Sequence, residues 1–455
     1  LKAALALAVL LPLALNGSGP GAAGPATELE DGRVLLQAFN ADDHRRGGHW
    51  YRELNRQVPQ LARLGVDLVW LPPPAYAGSN SAGYNPKQYG RLDNSYGSVA
   101  EQRQLLQNLR RHGLIPLADV VINHRDGTHG WGDFVNPRWG PEAICADDEA
   151  FSNPASELRG LPQSQRGGAC EVAVPYRAGG TYAYPAYRDL NLDHPQVQRD
   201  ILQYLKRLQA LGYEGWRYDM AHGYDGRWVG HFNRATRPRF SVGETDWGRQ
   251  DEMRGWIWAT ATTPEAGGRE HLRSTSAAFD MPTLFQLRQA LVAGRPQDLS
   301  AIADGHGLIG DGTDGLPWRS RAVTAVANHD IDWPSNAEGL LPQAYALVLS
   351  HPGIPSVFLP HVQRDPQLRQ TITTLIRLRR LAGVTASSRW FPQRNARQAG
   401  VYAAAIEGRR GMLLVRIGGD DSHWQPLASG YRRILTSARG RGWAVWFAQG
   451  PPQPG

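Results

Sequence analysis

GWRYDM (215–220), SVGETD (241–246) and VANHD (326–330) share one pattern, a few mostly apolar residues followed by an acid. Each apolar part is short enough to be a buried strand, and the acid follows at its C-terminal end. In a parallel barrel the strands deliver their C-terminal residues to one shared face, where active sites are built. Asp219, Glu244 and Asp330 are therefore expected around a single pocket.

Outward from these segments, short apolar runs alternate with longer amphipathic stretches. VLLQAFN (34–40) precedes a helix pattern in which Leu54, Val58, Leu61 and Leu64 recur at helical spacing, and VDLVWLPPP (66–74) follows it. EQRQLLQNLRRHG (101–113) reads as a second helix and LIPLADVVINH (114–124) as the next strand. After an interruption come the helix 194–212, with Val197, Ile201, Leu205 and Leu208 on one face, and the strands EGWRYDM (214–220) and RFSVGETD (239–246). SAAFDMP (276–282), RAVTAVANHD (321–330) and IPSVFLPH (354–361) bring the strand candidates to eight, and a helix over 366–382 closes the series. Eight is the closure number of the (β/α)8 TIM barrel, and the alternation is that of a parallel sheet with outer helices.

Residues 125–188 are rich in Gly, Pro, Asp and aromatics and lack periodicity, which predicts a small irregular domain inserted after strand 3. After residue 386, GVYAAAIEG, GMLLVRIGG and GWAVWFAQG are short alternating segments, the pattern of a small antiparallel β domain. The expected organisation is a leader (1–27), a first barrel part (28–124), the insert (125–188), a second barrel part (189–385) and a C-terminal β domain (386–455).

The leader carries an apolar run from Ala3 to Leu15, too short to span a bilayer and suited to a secretory signal, with cleavage between Asn16 and Thr27. No Cys follows it, so no membrane anchor is expected, and the mature protein is predicted to be exported, extracellular or periplasmic, as a monomer. In that compartment Cys145 and Cys170 invite a disulfide worth ~3 kcal/mol, with two buried thiols as the alternative. The formal charge of +7 is spread along the chain, and Lys2, Lys87 and Lys206 are its only lysines. With no basic stripe, a nucleic-acid partner is not expected. The 15 Trp and 16 Tyr offer flat faces suited to stacking on sugars, although any one of them can simply be core.

Two carboxylates flanking a sugar bond are the machinery of glycoside hydrolysis. In a retaining enzyme they stand about 5–5.5 Å apart, one attacking the sugar carbon and the other protonating the leaving oxygen. Arg217 lies two residues before Asp219 and points to the same side. A fixed cation there is expected to keep Asp219 ionised, whereas Glu244 needs a raised pKa to act as general acid. Spacing alone does not decide which acid takes which role.

DVVINH (119–124), GWRYDMAHG (215–223), VGE (242–244) and ANHD (327–330) resemble the four signature regions of glycoside hydrolase family 13, the α-amylase family. GYNPKQY (83–89) and WGPEAIC (139–145) resemble plant-type α-amylases and bacterial maltooligosaccharide-forming enzymes. The resemblance implies Asp219 as nucleophile, Glu244 as general acid/base and Asp330 as the acid gripping the distorted sugar. It also implies Arg217 as the residue orienting the nucleophile, His124 and His329 as hydroxyl ligands, and Tyr84 as the aromatic platform. His222 stands where close relatives carry Lys or Arg on the leaving-group side, and Trp247 is a candidate stacking residue there.

Family members hold a structural Ca2+ through positions matched by Asn123, Asp189 and the Gly223 carbonyl. Relatives add acids just before Asp189, but AGGTYAYPAYR (178–188) has none, which leaves Asp147, Asp148 or Glu171 as substitutes. The expected activity is retaining endo-hydrolysis of α-1,4-glucans. An exo-acting maltooligosaccharide-forming enzyme or transglycosylase is the alternative, and a non-catalytic carbohydrate-binding protein the third reading. A metal-dependent hydrolase fits poorly, because no HExxH-type ligand spacing is present.

Overall fold

Eight short, fully buried runs form the barrel: β1 (Leu35–Gln37), β2 (Leu68–Leu71), β3 (Ile115–Val120), β4 (Gly215–Tyr218), β5 (Phe240–Gly243), β6 (Ala277–Phe279), β7 (Ala322–Ala325) and β8 (Ile354–Phe358). The computed structural model describes residues 29–127, 134–145, 188–245, 249–310, 314–426 and 433–449. Each strand pairs in parallel with its sequence neighbour, and β8 pairs with β1, so the sheet closes and leaves no edge. All eight strand candidates read from the sequence are barrel strands, each shorter than the apolar run that announced it.

The helices outside follow from their apolar faces. Helix α1 (Trp50–Leu64) buries Trp50, Tyr51, Leu54, Val58, Leu61 and Leu64, and Gly65 ends it in the left-handed conformation at φ 95°. Helix α2 (Val99–Arg111) starts in a capping box, with Ser98 and Glu101 each satisfying the other's backbone N–H. Helix α3 (Pro195–Leu211) buries Val197, Ile201, Leu205 and Leu208, the face expected for it.

After β3 the chain leaves the barrel and returns through a neck in which His124–Arg125 pair antiparallel with Arg188–Asp189. Arg125 is fully buried there without a carboxylate partner among the described residues. Its guanidinium donates to the carbonyls of Lys87, Val135 and Pro137 and lies against the rings of Tyr89, Phe134 and Trp139. Carbonyl oxygens and aromatic faces together replace the water it loses. Most of the expected insert lies outside the described residues.

The C-terminal strands β9 (Trp390–Pro392), β10 (Tyr402–Gly408), β11 (Gly411–Ile417), β12 (Arg433–Gly440) and β13 (Trp443–Gln449) form an antiparallel sheet in the order β9-β10-β11-β13-β12. Its period-two pattern splits cleanly. Ile406, Leu413, Val415, Val445 and Phe447 join the barrel core, while Ala405, Leu414, Trp424 and Trp446 form a second core on the other face. The tie to the barrel is polar as well, since His351 Nε2 and the Tyr402 hydroxyl are 2.6 Å apart.

Candidate active site

Register brings the first charges together. Asp119 on β3 is the direct neighbour of Arg217 on β4, and both side chains enter the C-terminal half of the barrel. Arg217 is fully buried and serves three carboxylates. Nη1 lies 2.8 Å from Asp119 Oδ1 and 2.5 Å from Asp219 Oδ1, and Nη2 lies 2.6 Å from Glu244 Oε1. Asp219 and Glu244 each follow the last residue of their strands, β4 and β5. Gly243, the last residue of β5, directly precedes Glu244, and a Cβ there would lie 2.1 Å from the Trp256 ring, which would have to move to admit any other residue. Met220, at φ 39°, turns its N–H onto Glu244 Oε2 at 3.0 Å.

Asp119 was not among the residues singled out from the sequence, yet it anchors the floor of the site. Its Oδ2 accepts from the Tyr84 hydroxyl at 2.8 Å and from Trp70 Nε1 at 2.9 Å. A polar residue inside the otherwise apolar IPLADV was the available signal. Gln37 in LLQ of β1 carries the same signal and was also passed over.

His329 is buried against an aromatic wall. Its ring stacks on Tyr84 with centroids 5.0 Å apart and planes 12° apart, and Phe39 and Trp70 lie within 5.7 Å. Tyr84, half-buried, thus faces both His329 and the Arg217 guanidinium. Asp330 lies in the loop beyond β7, further from its strand than expected, and is 61% exposed with Oδ2 at 3.3 Å from His329 Nε2. His124 donates Nε2–H to the Tyr84 carbonyl at 2.7 Å, tying the Tyr84 segment to the insert neck. His222 is buried and close enough to Glu244 to favour its ionised form. Trp247 lies outside the described residues.

The electrostatics reverse the sequence expectation. Burial raises Asp219 well above the ordinary carboxylate range against the pull of Arg217, and the Glu244 and Asp119 charges add to the rise. Burial also pushes Asp119 up to about 6, opposed by Arg217, Tyr84 and Trp70. At Glu244 the same burial effect is outweighed, chiefly by Arg217 with the Met220 N–H adding to it, and its pKa falls. The physical reason is the sharing of a single cation. Nη1 is divided between Asp119 and Asp219, whereas Glu244 has Nη2 and a backbone donor. His329 is driven down to about 3 by burial and by Arg217, and stays neutral.

Asn123, Asp189 and Gly223 line one small cavity at the neck. Asn123 Nδ2 donates to Asp189 Oδ1 at 2.8 Å, and a Cβ on Gly223 would lie 2.2 Å from Asn123 Oδ1. Their oxygens are of the hard type that Ca2+ takes, though fewer than the six to eight it prefers. Among the described residues no group of three His, Cys, Asp or Glu gathers as a metal cage. The substitute ligands Asp147, Asp148 and Glu171 lie outside the described residues, as does Cys170, while Cys145 is buried beside the neck. Among the described residues no helix is long and apolar enough to cross a membrane.

Comparison with known proteins extends this geometry. Residues 34–143 match the family model described as "Alpha amylase, catalytic domain". The chain is 30% identical over 444 residues to probable alpha-amylase 2 of Arabidopsis thaliana, covering 92% of this chain and 95% of that protein. It is also 30% identical over 439 residues to the chloroplastic alpha-amylase 3 of Arabidopsis thaliana, covering 91% of this chain but spanning only 44% of that relative's length. A glucan 1,4-alpha-maltotetraohydrolase of Stutzerimonas stutzeri is 27% identical over 485 residues, covering 100% of this chain and 81% of that protein. In fold, an alpha-amylase from Geobacillus thermoleovorans superposes with a TM-score of 0.59 at 12% identity, covering 85% of this chain and 86% of that one.

Proposed function

The chain belongs to the α-amylase family of glycoside hydrolases, and from that premise we propose that it is an exported α-amylase that cleaves internal α-1,4 bonds of starch-like glucans with retention of configuration. The observation that carries the reading is the single buried guanidinium of Arg217 holding Asp219 and Glu244 together at the strand ends.

Asp219 is the nucleophile. Arg217 occupies its Oδ1, which leaves Oδ2 for the sugar carbon. Glu244 gives its proton to the glycosidic oxygen as that bond breaks, then takes one from the water that releases the covalent intermediate. For this cycle the proton has to sit on Glu244 while Asp219 is ionised, the opposite of the preference in the free site. A seated sugar shifts that balance, because a glycosidic oxygen presented to Glu244 favours its protonated form and draws it away from Arg217. Asp330, exposed at the mouth, grips hydroxyls of the distorted ring together with His329 and His124, and Tyr84 forms the wall beneath it. His222 and Trp247 serve the leaving-group side.

Asn123, Asp189 and the Gly223 carbonyl would hold Ca2+, which when bound ties the insert to the barrel and takes no part in the bond chemistry. We include in the proposal the division into barrel (28–124 and 189–385), insert (125–188) and C-terminal sheet (386–455), a Cys145–Cys170 disulfide, removal of the leader and a monomeric enzyme. The similarity to a maltotetraohydrolase favours one second reading, an exo-acting enzyme of the same site that releases a single maltooligosaccharide size. A time course of products from soluble starch tests both, because a mixed ladder supports endo action and one dominant size supports exo action. No product at all would contradict both.

A further inference from the structure

Gln37 ends β1 inside the barrel, 1% exposed, with Nε2 at 3.0 Å from His329 Nδ1. Its Oε1 is buried and has no hydrogen-bond partner among the described residues. A residue that only filled this volume would be apolar, since a buried unpartnered oxygen is costly. The amide therefore has a task, and the imidazole beside it shows what the task is.

The His329 ring is held in place by Tyr84, Phe39 and Trp70. The charged groups that face it are Arg217 from β4, Glu244 after β5 and Asp330 from its own loop, while the Tyr84 hydroxyl is directed to Asp119. Buried and beside a guanidinium, the ring is neutral and carries one N–H. The Gln37 Nε2 group only donates, so Nδ1 beside it is the acceptor and the proton belongs on Nε2, which lies 3.3 Å from Asp330 Oδ2. Nδ1 is then a lone pair that needs a donor, and the Gln37 amide supplies it.

We propose that Gln37 is a positioning residue that fixes His329 as the Nε2–H tautomer, so that the ring presents a hydrogen-bond donor to a substrate hydroxyl beside Asp330. The identity of that hydroxyl rests on the glucan reading above. The tautomer itself does not.

The test has two arms. In the first, long-range proton–nitrogen spectra of histidine-labelled wild-type protein are compared with those of His329→Asn to assign the resonance. The expected result is an Nε2-protonated, neutral His329 throughout pH 5–8. An Nδ1-protonated ring would overturn the proposal whether or not the protein turns over starch. In the second arm, Gln37→Met removes the donor, and kcat is expected to fall about tenfold with KM little changed. Gln37→Glu accepts from Nδ1–H, stabilises the imidazolium and adds an ionisation near neutral pH to the kcat/KM profile. Unchanged kcat in Gln37→Met, together with an unchanged profile in Gln37→Glu, would overturn the proposal. If either variant fails to fold, the wild-type spectra still decide it.

Discussion

Arg217 Nη2 holds Glu244 Oε1 at 2.6 Å, and Nη1 of the same guanidinium holds both Asp119 and Asp219. Three carboxylates share one cation at the barrel mouth. Burial makes that sharing unequal, and the inequality decides where a proton rests before substrate arrives.

Asp219→Asn and Glu244→Gln keep the shape of each side chain and remove its charge, so turnover of soluble starch should fall at least about a thousandfold. The melting temperature should stay within a few degrees or rise, because a buried negative charge has been removed from a crowded site. Asp219→Asn with more than about a tenth of wild-type activity would remove it from the nucleophile's role.

Asp119 should set the acid limb of the pH profile. In the role proposed for it Asp219 must be ionised, and its raised pKa places that limb above the ordinary carboxylate range. Asp119→Asn removes a neighbouring negative charge, which favours ionised Asp219, so the acid limb of kcat/KM should move to lower pH. A limb that stays put or moves up would contradict the shared-cation account.

The same residue gives a stability signature. Its folded pKa of about 6 lies above the value of about 3.9 expected when unfolded. Between those values the native state binds more protons than the unfolded chain. Its contribution is therefore complete below about pH 4 and is lost as pH rises through about 6. Denaturant unfolding at pH 4 and pH 7 should show this loss in wild type, and Asp119→Asn should show less of it.

Arg217→Met leaves three buried carboxylates without their cation. Destabilisation on the order of 3–5 kcal/mol is expected at pH 7. At pH 5 the penalty should shrink, because the acids can take up protons instead. A cost independent of pH would indicate lost packing rather than lost charge.

For calcium, a chelator should lower the melting temperature and added Ca2+ should restore it, with Asn123→Ala reducing the response. A melting temperature indifferent to both would mean that Asn123, Asp189 and Gly223 hold no stabilising calcium.

Much of this was legible in the chain because a barrel strand is written twice, as an apolar run and as an acid at its end. GWRYDM and SVGETD carry both marks, and their acids lie where the pattern put them. Asp330 was displaced into the loop because the ANHD segment outruns β7, which stops at Ala325. Asp119 and Gln37 were missed for the opposite reason. Each is a single polar residue inside an apolar strand, and only the register across to Arg217 or to the ring of His329 gives it a meaning. The electrostatic expectation failed on counting, since one arginine beside one aspartate lowers its pKa but one arginine among three buried carboxylates does not lower all of them.

The measurement that bears most directly on the central claim is the anomeric form of the products. Soluble starch is incubated with wild-type protein and with Asp219→Asn, and the newly released reducing ends are followed by proton NMR before mutarotation obscures them. The account predicts α-anomeric maltooligosaccharides from the wild type and essentially none from the variant. Products released first as the β-anomer, or equal activity in the variant, would contradict it.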